Sequence, residues 1–295
     1  RQLRIENRQA PKAYFRGLNF LLNEQQDQAI DAFIEAVQND PDTSELHFAL
    51  GNLFRRRGEY ERAVRVHEHR MSRGDLAQPE RDRAQHALAL DFLKAGLLDR
   101  AELALRKLEG TSYEEEARLA LLSIYERSRD WQHASEIASK LDRDSHGSFS
   151  GRQAHYLCEQ AATALASGDA DKASDILKTA CELAPALARP LIDLAKLHLQ
   201  RGDRSAAFDA LRQLENTAPE ALPLAASLLV NIAQNKTLLL PVMDLLKSHY
   251  ASMPSVDILE AIVRLDDEPN SARQWYLRHL EREPSLVAES RWIDV

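Results

Sequence analysis

The sequence predicts an all-α protein, a superhelical solenoid of about eight helix pairs. Three observations carry this. Gly17, Phe20 and Ala29 are answered 34 residues later by Gly51, Phe54 and Ala63, in the same order and at the same spacings. Between such marks, apolar residues recur at helical spacing: Ala29, Ile30, Phe33, Ile34 and Val37 make one stripe. Glycine turns then punctuate the chain at Gly58, Gly96, Gly168 and Gly202. One helix pair cannot bury both faces alone, so the pairs must stack.

A small residue, an aromatic three places on, an Ala, a large apolar residue and a closing Pro, such as Pro41, form the tetratricopeptide pattern of two antiparallel helices per repeat. The mechanics explain the residue types. Gly17 and Gly51 are small where the second helix crosses, and Ala29 and Ala63 are small for the same reason from the other side. Phe20, Phe54 and Phe33 fill the space between units.

Taken in order, residues 1–9 are a basic lead-in, with Arg1, Arg4 and Arg8 against Glu6. Two readings stay open: a solvated start to the first helix, or a juxtamembrane segment drawn to anionic lipid. The absence of an initiator Met reads as a fragment or processed form. Residues 10–141 hold units 1–4. Unit 2 begins near Asp42, read as an N-cap with Glu45 behind it. Unit 3 carries Leu88, Ala89, Phe92 and Ala101, with Pro79 opening its first helix. Unit 4 opens on Ser112-x-x-Glu115, read as a capping box. Its Leu122 stands where a small residue is expected, which implies a looser unit. Residues 142–152 form the most polar break, expected as a mobile loop with a change of superhelical path. Residues 153–219 hold the regular units 5 and 6. Residues 220–284 hold two degenerate units, with helices expected at 222–234, 242–250, 256–265 and 271–283, and with Pro241 where a small Ala belongs. Residues 285–295 read as a further helix cut short.

Composition narrows the function. The net charge is 38 − 46 = −8, which argues against a broad nucleic-acid footprint. No apolar run is long enough to span a membrane. Cys158 and Cys181 read as small core residues in a reduced, cytosolic setting. There is no glycine-rich phosphate loop and no H-E-x-x-H. His67 and His69 point to different helix faces, and His155 with Cys158 lacks a third ligand, so no metal site is expected. Glu114, Glu115 and Glu116 complement a helix dipole and are not read as a catalytic cluster. With no nucleophile–base–orienter set, the expected function is non-enzymatic.

What remains is surface. In such arrays the first helices line a groove that takes a partner peptide or helix. The candidate groove residues are Tyr14, Leu18, Phe48, Asn52, Arg55, Arg56, His86, Lys94, Ser123, Arg127, Ile192 and Lys196. Asn52 suits a hydrogen bond to a peptide backbone. Asn52, Arg55, Arg56 and Lys94 together would suit an acidic segment.

The run Gly17-Leu18-Asn19-Phe20-Leu21-Leu22 with Gln25-Gln26-Asp27 resembles the first repeat of the lipopolysaccharide assembly protein B family. So do Gly51 to Arg55, Ala95 to Glu102 and Ala154 to Glu159. The likeness runs through nearly the whole chain. It implies an adaptor on the cytoplasmic face of the Gram-negative inner membrane. That adaptor recruits the LpxC deacetylase to the FtsH protease under an inner-membrane sensor, restraining lipopolysaccharide synthesis. The family's N-terminal anchor and its C-terminal rubredoxin-like metal module are not in these residues, so no cofactor is expected here. A general scaffold or co-chaperone binding short peptides is the alternative, and a homodimer stays open.

Overall fold

A computed structural model describes residues 9–23, 25–39, 44–72, 76–144, 149–266 and 271–293. The basic run at 1–8, the Asp42 cap and the centre of the polar break, 145–148, lie outside them. The described residues contain helices and no strand. The chain divides into two compact units, Arg1–Asp130 and Trp131–Val295.

The first unit holds α1 (Gln9–Leu22), α2 (Gln26–Asn39), α3 (Ser44–Arg56), α4 (Tyr60–Met71), α5 (Gln78–Lys94), α6 (Leu98–Arg106) and α7 (Glu114–Ser128). Each helix packs on its successor, and the first helices α3 and α5 also touch. The small positions are where the sequence places them. A Cβ on Gly17 would come 2.8 Å from Cε1 of Phe33, inside van der Waals contact. Ala29, Ala63, Ala89 and Ala101 are all fully buried. Pro79 sits in the first turn of α5, and Gly96 leaves that helix at φ 75°.

The second unit holds α8 (Trp131–Asp144), α9 (Ser150–Ala166), α10 (Ala170–Leu183), α11 (Ala188–Gln200) and α12 (Arg204–Thr217), then a 3-10 turn, Pro219–Ala225. After it come α13 (Ala226–Ala233), α14 (Lys236–Ser252), α15 (Val256–Leu265), α16 (Ser271–Arg282) and α17 (Leu286–Ile293). Asp169 and Asp203 cap α10 and α12 by accepting from Lys172 N at 3.0 Å and Ala206 N at 2.9 Å. Cys158 and Cys181 are free and buried, as core residues.

Four expectations need correction. The Ser112–Glu115 capping box does not form: α7 follows Tyr113 with no side-chain cap. Instead the Thr111 hydroxyl accepts from Tyr113 N at 3.2 Å and turns the chain itself. In the seventh repeat Pro241 is not at the crossing. It is exposed, and Val242, Leu246 and His249 are buried 35 residues beyond Ala207, Leu211 and Leu214. The one-residue slip keeps the proline ring, and the Thr237 carbonyl it leaves without an amide donor, on the solvent side. The first helix of that repeat begins as the 3-10 turn, because Pro219 and Pro223 remove two amide donors. Finally, α8 continues through Asp144 and α9 starts at Ser150, so helix occupies both ends of the expected loop. The two compact units part between Asp130 and Trp131, inside the fourth repeat. There Leu122 holds the small place and Ala138 the large one, both buried.

Candidate partner-binding face

Helices α3 and α5 carry six of the twelve candidate residues: Phe48, Asn52, Arg55 and Arg56 on α3, His86 and Lys94 on α5. Between these helices is Asp91, fully buried on α5. Arg55 Nη1 donates to Asp91 Oδ1 at 2.7 Å and to the Ala87 carbonyl at 3.3 Å, and Nη2 donates to Asn52 Oδ1 at 2.5 Å. The other carboxylate oxygen, Oδ2, is 2.5 Å from His67 Nδ1 on α4. A buried carboxylate is costly unless paired. Here a guanidinium from one helix and an imidazole from another answer it, so three helices are tied at one point.

This changes what Asn52 and Arg55 do. In the structure the guanidinium is spent on Asp91, Ala87 and Asn52, and the Asn52 amide oxygen accepts from it while the amide nitrogen makes no hydrogen bond among the described residues. Phe48 is also displaced from the groove. It is 2% exposed, beneath the Arg83 guanidinium 4.2 Å from its ring centroid, and Arg83 in turn pairs with Glu45.

His86 stacks on Tyr113, centroids 4.6 Å apart and planes 21° from parallel, with Nε2 3.1 Å from Glu116 Oε2. Burial lowers its pKa, Glu116 opposes that shift, and Arg55 adds to it. Tyr14 and Leu18 on α1 are half-buried against the core, the Tyr14 ring 6.0 Å from Phe33. Arg56, Lys94, Ser123 and Arg127 are exposed. In the second unit, Ile192 packs partly into the core and Lys196 pairs with Asp193 at 3.0 Å.

Asp91, Tyr113 and Arg83 were not singled out from sequence, and Glu45 and Glu116 were read there only as helix-start residues. One signal for Asp91 was present. It stands where the neighbouring repeats carry Leu53 and Ile124, while His67 stands where they carry Phe33 and Leu105. Two polar residues at two core places of adjoining helices are a pair.

Among the described residues no three metal-ligating side chains cluster, and no helix is long and apolar enough to cross a membrane. Helix pairs stacked through small residues, with polar first-helix faces left to solvent, define a tetratricopeptide-repeat protein, a class that serves as scaffolding for protein partners. No family model matches the chain. It is 32% identical over 289 residues to lipopolysaccharide assembly protein B of Escherichia coli strain K12, covering 95% of this chain and 73% of that protein. The Haemophilus influenzae protein of the same name is 30% identical over 216 residues, covering 70% of this chain and 54% of that one. The chain belongs to the lipopolysaccharide assembly protein B family. Among solved structures, Naa15/Naa10 bound to HypK-THB matches with a TM-score of 0.52 at 13% identity, over 95% of this chain and 43% of that one, a likeness of fold.

Proposed function

We propose that this chain is a non-enzymatic adaptor in the regulation of lipopolysaccharide assembly. In this reading it stands on the cytoplasmic face of the inner membrane and brings the LpxC deacetylase to the FtsH protease, answering to an inner-membrane sensor. The observation that carries the reading is family membership along nearly the whole chain. The stacked helix pairs are consistent with it: their small and apolar positions are consumed in packing, and the first-helix faces are left for partners. The reading assigns no cofactor to these helices.

The test is capture by the full-length protein of purified LpxC and of the FtsH cytoplasmic domain, each alone and then together. The adaptor reading expects both to be retained, and LpxC turnover by FtsH to rise with adaptor concentration before falling as excess adaptor separates the two. Retention of neither by a protein that melts cooperatively would sink it.

A further inference from the structure

The first helix of a stacked repeat has a face that packs on the repeat before it. In repeat two that face is Leu46, Leu50 and Leu53, and in repeat four it is Ala117, Leu121 and Ile124. All six are buried, with α3 packed on α2 and α7 on α6. The same three register places of α1 hold Lys12, Arg16 and Asn19, all exposed. A helix stacked there would bury two cations, so this face is closed to a further repeat. Beside the polar stripe stand Phe15 and Leu22, 61% and 82% exposed. They are seven residues apart, two turns, and so share one side of the helix, about 10 Å apart along its axis. Repeats two to four carry Ala49, Ala87 and Ala120 at the place of Phe15, and Arg56, Lys94 and Arg127 at the place of Leu22. Of these four repeats, the first alone has a large apolar side chain at both.

Large apolar side chains turned outward next to cations suit a boundary that is apolar on one side and wet on the other. Charge gives the sign of that boundary. Residues 1–16 carry five basic residues against one acidic, 5 − 1 = +4, in a chain of net charge −8. Lys12 makes no side-chain hydrogen bond or ion pair among the described residues. On α2, Glu35 is answered by Arg16 and Asp27 by Arg57. A second copy of this chain fits less well, because two such faces would set like charges against each other. Helix α1 is 14 residues long and carries two cations, so it lies on a bilayer and does not cross it.

We infer that Phe15 and Leu22, with Lys12 and Arg16 beside them, seat α1 on an anionic lipid surface. The apolar side chains enter the acyl boundary and the cations meet the phosphates. The inference rests on the placement at the inner membrane proposed above and adds which face of the repeats meets the lipid.

The test is co-sedimentation of the 295-residue chain with vesicles of phosphatidylglycerol and phosphatidylcholine in equal parts, against vesicles of phosphatidylcholine alone. Binding to the anionic vesicles is expected, falling with added salt. The double variant Phe15→Ser, Leu22→Ser should weaken it about tenfold, and Lys12→Gln about fivefold. Leu103→Ser, an exposed apolar side chain elsewhere (65%), should leave it unchanged, and all three variants should keep the native melting temperature. Equal binding of native and double-variant protein, or equal binding to the two kinds of vesicle, would overturn the seat. So would self-association or RNA binding that needs Phe15 and Leu22 without any binding to vesicles. Loss of vesicle binding only on Arg1→Gln, Arg4→Gln, Arg8→Gln, with the α1 variants silent, would overturn it too. Vesicle binding absent while LpxC and FtsH are still captured in solution removes the seat and leaves the adaptor reading standing. Variant-sensitive vesicle binding with neither protein captured supports the seat and removes the adaptor reading.

Discussion

Gly51 on α3 faces the ring of His67 on α4, and a Cβ at Gly51 would lie 2.5 Å from His67 Nε2. The imidazole cannot retreat, because Nδ1 on its far side is held by Asp91. Gly51→Ala should therefore destabilise by roughly 1–3 kcal/mol from overpacking, against a gain of about 1 kcal/mol in helix propensity. In a His67→Ala background the same change should become neutral or stabilising. Denaturant melts of the four proteins in that cycle check it.

Asp91 is the buried charge on which Arg55 and His67 converge. Removing it as Asp91→Ala leaves a half-buried guanidinium and a buried imidazole without their partner. The expected cost is about 3–5 kcal/mol, read as a fall in denaturation midpoint.

Arg129 adopts φ 58°, where Gly58, Gly96, Gly168 and Gly202 stand at the matching turns of other repeats with φ between 75° and 84°. A side chain in the left-handed region is crowded by its own Cβ. Arg129→Gly should raise stability by about 1 kcal/mol, less what the freer unfolded chain returns. A rise in melting temperature with unchanged helical signal is the expected result.

His279 is buried, with Nδ1 2.7 Å from the Tyr250 hydroxyl. Burial lowers its pKa, Glu283 opposes the shift and Arg282 adds to it. The folded value thus lies below the unfolded value of about 6.5, so as pH falls the unfolded chain takes up the proton first. Its contribution to stability is full above about pH 6.5 and is lost progressively below it. His86 and His198 are lowered by burial in the same direction. Melting temperature should fall on acidification through this window, and His279→Gln should flatten part of that slope.

Burial pushes the Cys158 thiol up to about 12 and the Cys181 thiol up to about 11. Thiolate is the reactive form, so both should resist alkylation at mildly alkaline pH while the protein is folded. Both should label quickly in denaturant. Mass spectrometry of iodoacetamide-treated protein reads the difference.

The helix pairs were legible because their period is set by side-chain size: a residue at a crossing is small or the helices cannot approach. Gly17 with Phe33 and Ala89 with Leu105 repeat this trade, and one sequence displays it. The slip at Pro241 was not legible. A 34-residue period puts the proline at the crossing, and only the competition between burying Val242 and burying a proline moves the register by one. The capping box failed likewise, since Thr111, three residues before the helix begins, offered a turn of its own that the motif does not weigh.

For the candidate site the division is sharper. Spacing identified Asn52, Arg55, Arg56, Lys94 and Arg127 as lying on one helix face. It could not tell which were already committed, because Asp91 is 36 residues from Arg55 along the chain.

The sequence alone determined that the chain is a stack of helix pairs and, in the regular repeats, which residues meet inside each pair, because those contacts are local and recur at a fixed interval. The tertiary structure alone decided which surface charges remain free. An ion pair depends on the distance between side chains of different repeats, and folding sets that distance. Arg55 finds Asp91 and is consumed; Arg56, one residue on, makes no side-chain hydrogen bond or ion pair among the described residues.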